Sequence, residues 1–235
     1  MDTTGFWFWF GFVGMLVGSA GIVFQGLKLR KQDRYHALIP LLVTAIATIS
    51  YYALARGSAS ITVGGDVIYI GRYLDWLFTT PLLLLSIIVV GLPAVTDLKQ
   101  KRERATLIAS VLVADILMIV TGAFADLATN TTDTVVWYGA SCLWLLLVLY
   151  LMYGEVKRQA IAHSKAAASV YTRLLAYLTI AWVLYPVVWI YGTPGFEIIN
   201  KSTEAATFAI LDVCAKAVFG VLVVTYVLKL ENKAK

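Results

Sequence analysis

Charged residues are scarce in this sequence. Asp, Glu, Lys and Arg make up 14% of the 235 residues, whereas hydrophobic residues make up 60%; a soluble domain carries about 25% charged residues. Apolar runs of about 20 residues recur, and each is long enough to cross roughly 30 Å of hydrocarbon. The composition therefore excludes a water-soluble globular protein and indicates a helical membrane protein. Its net charge of +5 comes from the loops, so we expect no nucleic-acid partner.

Cysteine and histidine are nearly absent, with two residues of each type. Cys142 and Cys214 both fall inside apolar runs, which is typical of small buried hydrophobic residues. The sequence thus predicts neither a disulfide framework nor a metal site. The N-terminus also lacks the basic region of a cleaved signal peptide, so the first apolar run is predicted to be a membrane span.

Seven apolar runs predict an all-α membrane protein, a seven-transmembrane-helix bundle that forms one domain over residues 1–235. The predicted spans are 5–26, 36–56, 69–91, 105–125, 134–154, 171–192 and 203–230. Between the second and third spans, Gly64-Gly65 separates two β-branched runs. This pattern predicts a short β-hairpin outside the bilayer core.

Basic residues are concentrated in alternate connections between the spans. Most of the 19 Lys and Arg residues lie after the first, third, fifth and seventh spans: Lys28, Arg30, Lys31, Arg34, Lys99, Lys101, Arg102, Arg104, Lys157, Arg158, Lys165, Arg173, Lys229, Lys233 and Lys235. The opposite side carries Arg56 and Lys201. The positive-inside rule then predicts a multi-pass protein of the cell membrane with its N-terminus outside and its C-terminus in the cytoplasm.

A few ionisable residues fall deep inside the spans: Arg72, Asp75, Asp115, Asp212 and Lys216. Such residues face the bundle interior and mark ion pathways or cofactor sites. Arg72 and Asp75 are spaced i, i+3, and Asp212 and Lys216 are spaced i, i+4, so each pair shares a helix face. We expect these four charges to form one buried cluster with little net charge. A static ion-pair network that locks two helices is the alternative to a lysine that carries a cofactor through a Schiff base.

Asp115 stands alone on the fourth span. We expect it to be protonated and hydrogen-bonded to a neighbouring helix, because burial disfavours the charged form of a carboxyl group.

Aromatic residues form a stripe on the sixth span. Trp182, Tyr185 and Trp189 follow i, i+3, i+7 spacing, which is typical of a core or interface face as well as of a cofactor pocket. Pro186 lies inside the stripe and Pro81 lies inside the third span, and both predict helix kinks. Kinked helices with facing rings would suit a flat, conjugated ligand.

Three motifs resemble those of the microbial rhodopsins, and the resemblance covers nearly the whole chain. They are Arg72-Tyr-Leu-Asp-Trp-Leu-Phe-Thr-Thr-Pro-Leu-Leu-Leu-Leu85 on the third span, Trp182-Val-Leu-Tyr-Pro-Val-Val-Trp189 on the sixth and Leu211-Asp-Val-Cys-Ala-Lys216 on the seventh. The chain is most similar to the haloarchaeal group of bacteriorhodopsin and the sensory rhodopsins, including the intermediate forms called middle rhodopsins.

The resemblance implies a role for each matching residue. Lys216 would bind all-trans retinal as a covalent protonated Schiff base, with Asp75 as counterion and proton acceptor and Asp212 as second counterion. Arg72 would tune both carboxylates, Thr79 would hydrogen-bond Asp75, and Tyr51 would help to hold the counterion network. The residues implied to surround the retinal are Trp76, Thr80, Met118, Tyr138, Ser141, Trp182, Tyr185 and Trp189.

Departures from the family pattern bear on the choice between pump and receptor. An outward proton pump of this family has a carboxylate proton donor at the position of Ser86. A serine has no carboxyl proton to give, so it cannot relay protons as fast as that donor does. Glu204 matches one of the two glutamates of the proton release region, whereas Pro194 occupies the other position. The turn Thr193-Pro-Gly195 is similar to that of blue-sensing rhodopsins. Ala215, by contrast, is pump-like, and together with Met118 and Ser141 it predicts green absorption.

These features favour a light receptor of sensory or intermediate type, rather than an enzyme. We expect a slow photocycle, proton transfer from Lys216 to Asp75, and a signal carried by movement of the sixth span. The expected partners are the lipid bilayer and a membrane transducer protein; Gly11, Gly14 and Gly18 could pack against a second copy in a homo-oligomer or within the chain.

A light-driven outward proton pump is the alternative function. A solute transporter that binds its substrate through the buried charges would require inverted repeats, which the sequence lacks.

Overall fold

Seven membrane-length helices make up most of the chain in the computed structural model, which describes residues 3–92 and 97–233. Residues 1–2, 93–96 and 234–235, which include Lys235, lie outside the described residues. Within them, the helices long and apolar enough to span a membrane are α1 (Thr3–Gly26), α2 (Lys31–Ala55), α3 (Ile70–Gly91), α4 (Leu98–Leu127), α5 (Thr131–His163), α6 (Lys165–Tyr191) and α7 (Lys201–Lys233). The predicted fold class is confirmed.

Several helices extend beyond the predicted spans, because polar residues continue the helix past the apolar segment. α4 begins at Leu98 rather than near 105, and the Asp97 side chain caps it by accepting the Gln100 N–H at 2.8 Å. α5 continues to His163 and only Ser164, the N-cap of α6, separates the two helices. Apolar content therefore marks the membrane-crossing part of each helix rather than the ends of the helix.

Two asparagines, Asn130 and Asn200, are helix caps at the hairpin end of the bundle. Asn130 accepts the Asp133 N–H at 3.0 Å and begins α5. Asn200 accepts the Thr203 N–H at 2.9 Å and begins α7. Both satisfy backbone donors that the first helical turn leaves free.

The predicted hairpin is confirmed as strands β1 (Ile61–Val63) and β2 (Asp66–Ile68), which pair antiparallel with Thr62 opposite Val67. Gly64 and Gly65 turn the chain at φ values of 63° and 100°, a region that glycine enters without steric cost. Lys201 Nζ lies 3.7 Å from Asp66 Oδ1, so the hairpin contacts the start of α7.

The centre of the bundle is formed by α3 and α7, the two most buried of the seven spans. α1 packs closely on α7, because Gly14 and Gly18 face Val213 and Ala217 with no room for a side chain. Of the two alternatives for these glycines, the structure shows packing within the chain. Both prolines lie inside continuous helices, Pro81 in α3 and Pro186 in α6; the predicted kinks stay predictions.

Within the described residues, two π-helical turns interrupt the regular helices. One, Met152–Val156, lies in α5, and the other, Val213–Val218, lies in α7 and carries Lys216. A π turn inserts one extra residue into the helical ladder and often marks a functional position. The turn in α7 therefore draws attention to Lys216.

Candidate functional site

The amine of Lys216 lies between two carboxylates in the middle of the bundle. Lys216 Nζ is hydrogen-bonded to Asp75 Oδ2 from α3, and it lies 2.8 Å from Asp212 Oδ1, one turn earlier on α7. The three side chains are at most 2% exposed. Removing one partner of such a buried pair leaves an uncompensated charge, so the arrangement is held tightly.

Asp212 is fixed by three donors from three helices. Tyr51 and Tyr185 donate to its carboxylate oxygens at 2.7 Å each, and the Trp76 indole N–H donates at 3.2 Å. Asp212 is therefore held in place by hydrogen bonds to both of its carboxylate oxygens.

Asp75 is held differently. Thr79 donates to the backbone carbonyl of Asp75 at 2.8 Å, so the predicted contact exists but does not reach the carboxylate. The buried oxygen Oδ1 of Asp75 has no hydrogen-bond partner among the described residues. Asp75 thus has an oxygen that can accept a proton, whereas both oxygens of Asp212 already accept hydrogen bonds.

The predicted four-charge cluster is wrong in one member. Arg72 Nη1 pairs with Glu204 Oε1 at 2.7 Å, and no ion pair within the described residues joins Arg72 to Asp75 or Asp212. The guanidinium is held by ring faces, with Cζ 4.7 Å from the Phe208 centroid and 4.9 Å from that of Tyr69. The long Arg72 side chain reaches the buried Glu204 carboxylate, which lies nearer the hairpin. Among the described residues, Lys216 is therefore the cation that pairs with both Asp75 and Asp212.

The Arg72–Glu204 pair lines a polar cavity at the hairpin end of the bundle. The second carboxylate oxygen of Glu204 accepts the Thr193 N–H at 2.9 Å. Arg72, Glu204 and Pro194 all line the cavity, as does Asp126, which sequence reasoning missed because it lies close to the end of its span. Arg72 Nη2 is buried without a hydrogen-bond partner among the described residues.

A second, apolar cavity adjoins Lys216. Nine residues predicted to surround the ligand line it together: Trp76, Thr80, Met118, Tyr138, Ser141, Trp182, Tyr185, Trp189 and Lys216. Tyr138 and Trp189 stack at 4.9 Å, and Trp76 and Tyr185 meet edge to face at 5.4 Å between ring centroids. Rings on its walls and an amine in its lining fit an elongated conjugated aldehyde, which could form an imine with Lys216.

Sequence reasoning missed several residues of this lining. The missed residues are Tyr73, Leu83, Ile119, Gly122, Cys142, Leu145, Pro186 and Phe208. Ala215, which the sequence analysis names, also lines the cavity. Of the missed residues, Tyr73 also accepts a hydrogen bond from the Trp189 indole at 2.9 Å. Apolar residues of a membrane helix face either lipid or a cavity, and their identity alone does not distinguish the two environments.

Asp115 is hydrogen-bonded to a neighbouring helix, as predicted. Thr80 Oγ1 lies 2.8 Å from Asp115 Oδ2 and 2.9 Å from the Trp76 carbonyl. A hydroxyl has one hydrogen, so both contacts can be hydrogen bonds only if Asp115 supplies a second one. This geometry supports the protonated form of Asp115, which stays a prediction.

Ser86 lies on α3, away from the cavity lining, and its side chain is buried. Its hydroxyl donates to the Leu82 carbonyl at 2.9 Å. The bond lies within one helical turn, and the serine hydroxyl offers no acidic proton at that position.

Comparison with known proteins places these features in context. A family model described as bacteriorhodopsin-like protein matches residues 2–230. The chain is 37% identical to bacteriorhodopsin of Haloterrigena sp. (strain arg-4) over 92% of its length and 85% of that protein. The thermophilic rhodopsin from Rubrobacter xylanophilus is similar in structure, with a TM-score of 0.89, 34% identity and 95% of both chains covered.

Another similar structure is that of a protein described by its activity, the light-driven proton pump Coccomyxa subellipsoidea rhodopsin. It has a TM-score of 0.84 and 32% identity, covering 96% of this chain and 97% of that one.

Proposed function

Because this chain belongs to the bacteriorhodopsin-like family, which binds retinal through a Schiff base to a lysine, we propose that it is a light receptor of sensory or intermediate type with a slow photocycle. Lys216 would hold the retinal, since its amine lies at the aromatic cavity. When bound, retinal supplies light absorption and a cationic imine nitrogen whose direction changes on isomerisation. The observation that carries the proposal is the position of Lys216 between Asp75 and Asp212.

Asp75 is the proton acceptor in this proposal. Its carboxylate lies against the Lys216 nitrogen and retains an oxygen without a partner among the described residues, whereas both oxygens of Asp212 accept hydrogen bonds, from Tyr51, Tyr185 and Trp76. Of the two carboxylates that contact Lys216, Asp75 would therefore take the proton from the Lys216 nitrogen.

The slow recovery follows from Ser86. A carboxyl group at this position could return a proton to the Lys216 nitrogen, but a serine hydroxyl is not acidic enough to do so. The returning proton must then come from water at the cytoplasmic end. A long-lived light-activated state suits signalling better than transport.

The receptor would be one retinal-binding unit over residues 1–235, and it would not be an enzyme. We place its N-terminus outside the cell, because the basic connections lie at the end opposite the hairpin. The expected partner is a membrane transducer protein that detects movement of α6.

Light-driven pH changes in vesicles test the receptor function. A receptor should give a transient proton signal without sustained outward transport. Azide, a small mobile proton carrier, should speed the recovery of the dark absorption band. Sustained outward transport that a protonophore abolishes would contradict it. A Lys216→Ala variant should stay colourless with retinal; colour equal to that of the unchanged chain would contradict the attachment site.

A light-driven outward proton pump is the second candidate. The Arg72–Glu204 pair favours it, since this pair lines the outer polar cavity through which a released proton would leave. The similar Coccomyxa rhodopsin is described as such a pump. The same vesicle measurement separates the two candidates.

A further inference from the structure

Two tyrosines of α6 bind the two π turns in the same way. The Tyr171 hydroxyl donates to the Met152 carbonyl at 2.6 Å, and the Tyr177 hydroxyl donates to the Cys214 carbonyl at 3.1 Å. Met152 and Cys214 each lie at or next to the start of a π turn, on α5 and α7. α6 is therefore tied to both irregular turns by a side-chain hydroxyl.

The bonded carbonyls are those that also accept the long backbone bond of each turn. The Lys157 N–H donates to Met152, and the Phe219 N–H donates to Cys214, five residues apart in both cases. A carbonyl oxygen has two lone pairs, and the tyrosine hydroxyl takes up the second. Each tyrosine thereby adds a second hydrogen bond to the carbonyl that accepts the long backbone bond of its π turn.

Tyr177 contacts the chain on both sides of Lys216. Its hydroxyl binds the residue two positions before Lys216, and its ring stacks on Phe219, three positions after it, at 6.2 Å and 27° between ring planes. Tyr177 does not line the retinal cavity. It touches the backbone that aims Lys216 instead of touching the reacting atoms.

We propose that Tyr177 is a positioning residue, whose hydroxyl fixes the π turn of α7 so that the Lys216 amine points between Asp75 and Asp212. A second consequence rests on the proposed function: when the Lys216 nitrogen changes direction, strain in this turn passes through the Tyr177 hydroxyl to α6. Tyr177 would then link the site of light absorption to the helix that signals.

Isotope-edited infrared spectroscopy tests the first part without retinal or light. The chain has two cysteines, so cysteine labelled with ¹³C at its carbonyl marks only Cys142 and Cys214. In Tyr177→Phe the labelled Cys214 amide I band should shift to higher frequency, because its carbonyl loses a hydrogen bond, while the Cys142 band stays as internal reference. An unchanged Cys214 band would overturn the proposal.

Tyr171→Phe is the matched control, because it removes the same kind of bond from the other π turn. It should leave both labelled bands in place. Amide hydrogen exchange over 213–219 should rise about fivefold in Tyr177→Phe, the factor for one hydrogen bond of about 1 kcal/mol, and should not change in Tyr171→Phe. Equal effects of the two variants would show general loosening and overturn the specific role.

Light tests the second part in the retinal-loaded protein. Illumination should increase exchange in residues 165–176 of the unchanged chain, and this increase should shrink in Tyr177→Phe. A full-sized increase in the variant would overturn the coupling. Failure of the unchanged chain to become coloured would contradict the proposed function alone, because the dark measurements on the turn do not depend on retinal.

Discussion

Asp75 and Asp212 approach the same amine but differ in the rest of their surroundings. Three donors converge on Asp212, whereas Asp75 keeps a buried oxygen without a partner among the described residues. Both carboxylates contact the Lys216 amine, but only Asp75 keeps an oxygen free to accept a further hydrogen. This difference between two residues of the same type assigns them separate roles.

Replacing Asp75 by Asn should shift the visible absorption of the retinal-loaded protein to longer wavelength. The anion near the imine stabilises the ground state, in which positive charge stays close to nitrogen, more than the excited state. The variant should also lose the light-induced proton transfer, which absorption spectroscopy after a laser flash measures. Asp115→Asn is the control and should shift the band less, because Asp115 is hydrogen-bonded to Thr80 and is not one of the two carboxylates that contact Lys216. A larger shift in the control would contradict the assignment.

Ser86→Asp should speed the recovery of the dark state. Ser86 is 1% exposed, and burial favours the protonated form of a carboxyl group, so the introduced group would hold a proton ready for the Lys216 nitrogen. Recovery in the unchanged chain should slow as pH rises and respond to azide, and both dependences should weaken in the variant. Ser86→Asn, which has similar size but no acidic proton, should recover as slowly as the unchanged chain; faster recovery there would point to packing instead.

Among the elements, α1 depends on close contact with α7. A Cβ atom added at Gly18 would lie 2.3 Å from the Cβ of Ala217 and 3.0 Å from its Cα. The second atom belongs to the backbone, so a side-chain rotation cannot relieve the contact. The small residues of α1 are thus occupied inside the chain and leave less surface for a second copy.

Gly18→Ala should therefore destabilise the protein by about 1–3 kcal/mol, the usual cost of overpacking. Thermal bleaching of the visible band measures the loss. Gly139→Ala is the control, because no atom lies within 4 Å of the added Cβ on α5, and higher helix propensity should make it neutral or stabilise it by up to about 1 kcal/mol. Equal melting of both variants would show that the α1–α7 contact is loose.

At the scale of the whole molecule, the sequence predicts those features that depend on membrane physics. Apolar length yields the seven helices, and Gly64-Gly65 yields the hairpin. Buried charge singles out Asp75, Asp212 and Lys216, because charged residues are costly in the bilayer and commonly mark functional sites there. These predictions depend on local sequence or on a large energetic cost, and both can be recognised without coordinates.

Features that depend on three-dimensional direction were not predictable. Arg72 follows the i, i+3 spacing to Asp75, yet its flexible side chain pairs with Glu204, which is 132 positions away. Tyr177 is an ordinary aromatic residue in the sequence. Its contact with Cys214 depends on a π turn, which the hydrophobic periodicity of the sequence does not predict. The polar extensions of α4 and α5 were missed because helix formation does not end where hydrophobicity ends.

The distribution of charge between the two ends of the molecule predicts its orientation in the membrane. Arg30 contacts Glu231 at one end, among most of the basic residues, and Lys201 contacts Asp66 at the hairpin end. A cysteine introduced as Ser58→Cys beside the hairpin should react with a membrane-impermeant maleimide in intact cells. One introduced as Lys99→Cys at the exposed start of α4 should react only after lysis, with the unchanged chain giving the background from its two native cysteines. The reverse pattern would show that the N-terminus lies in the cytoplasm, and the assignment of Ser86 to the cytoplasmic half would then be wrong.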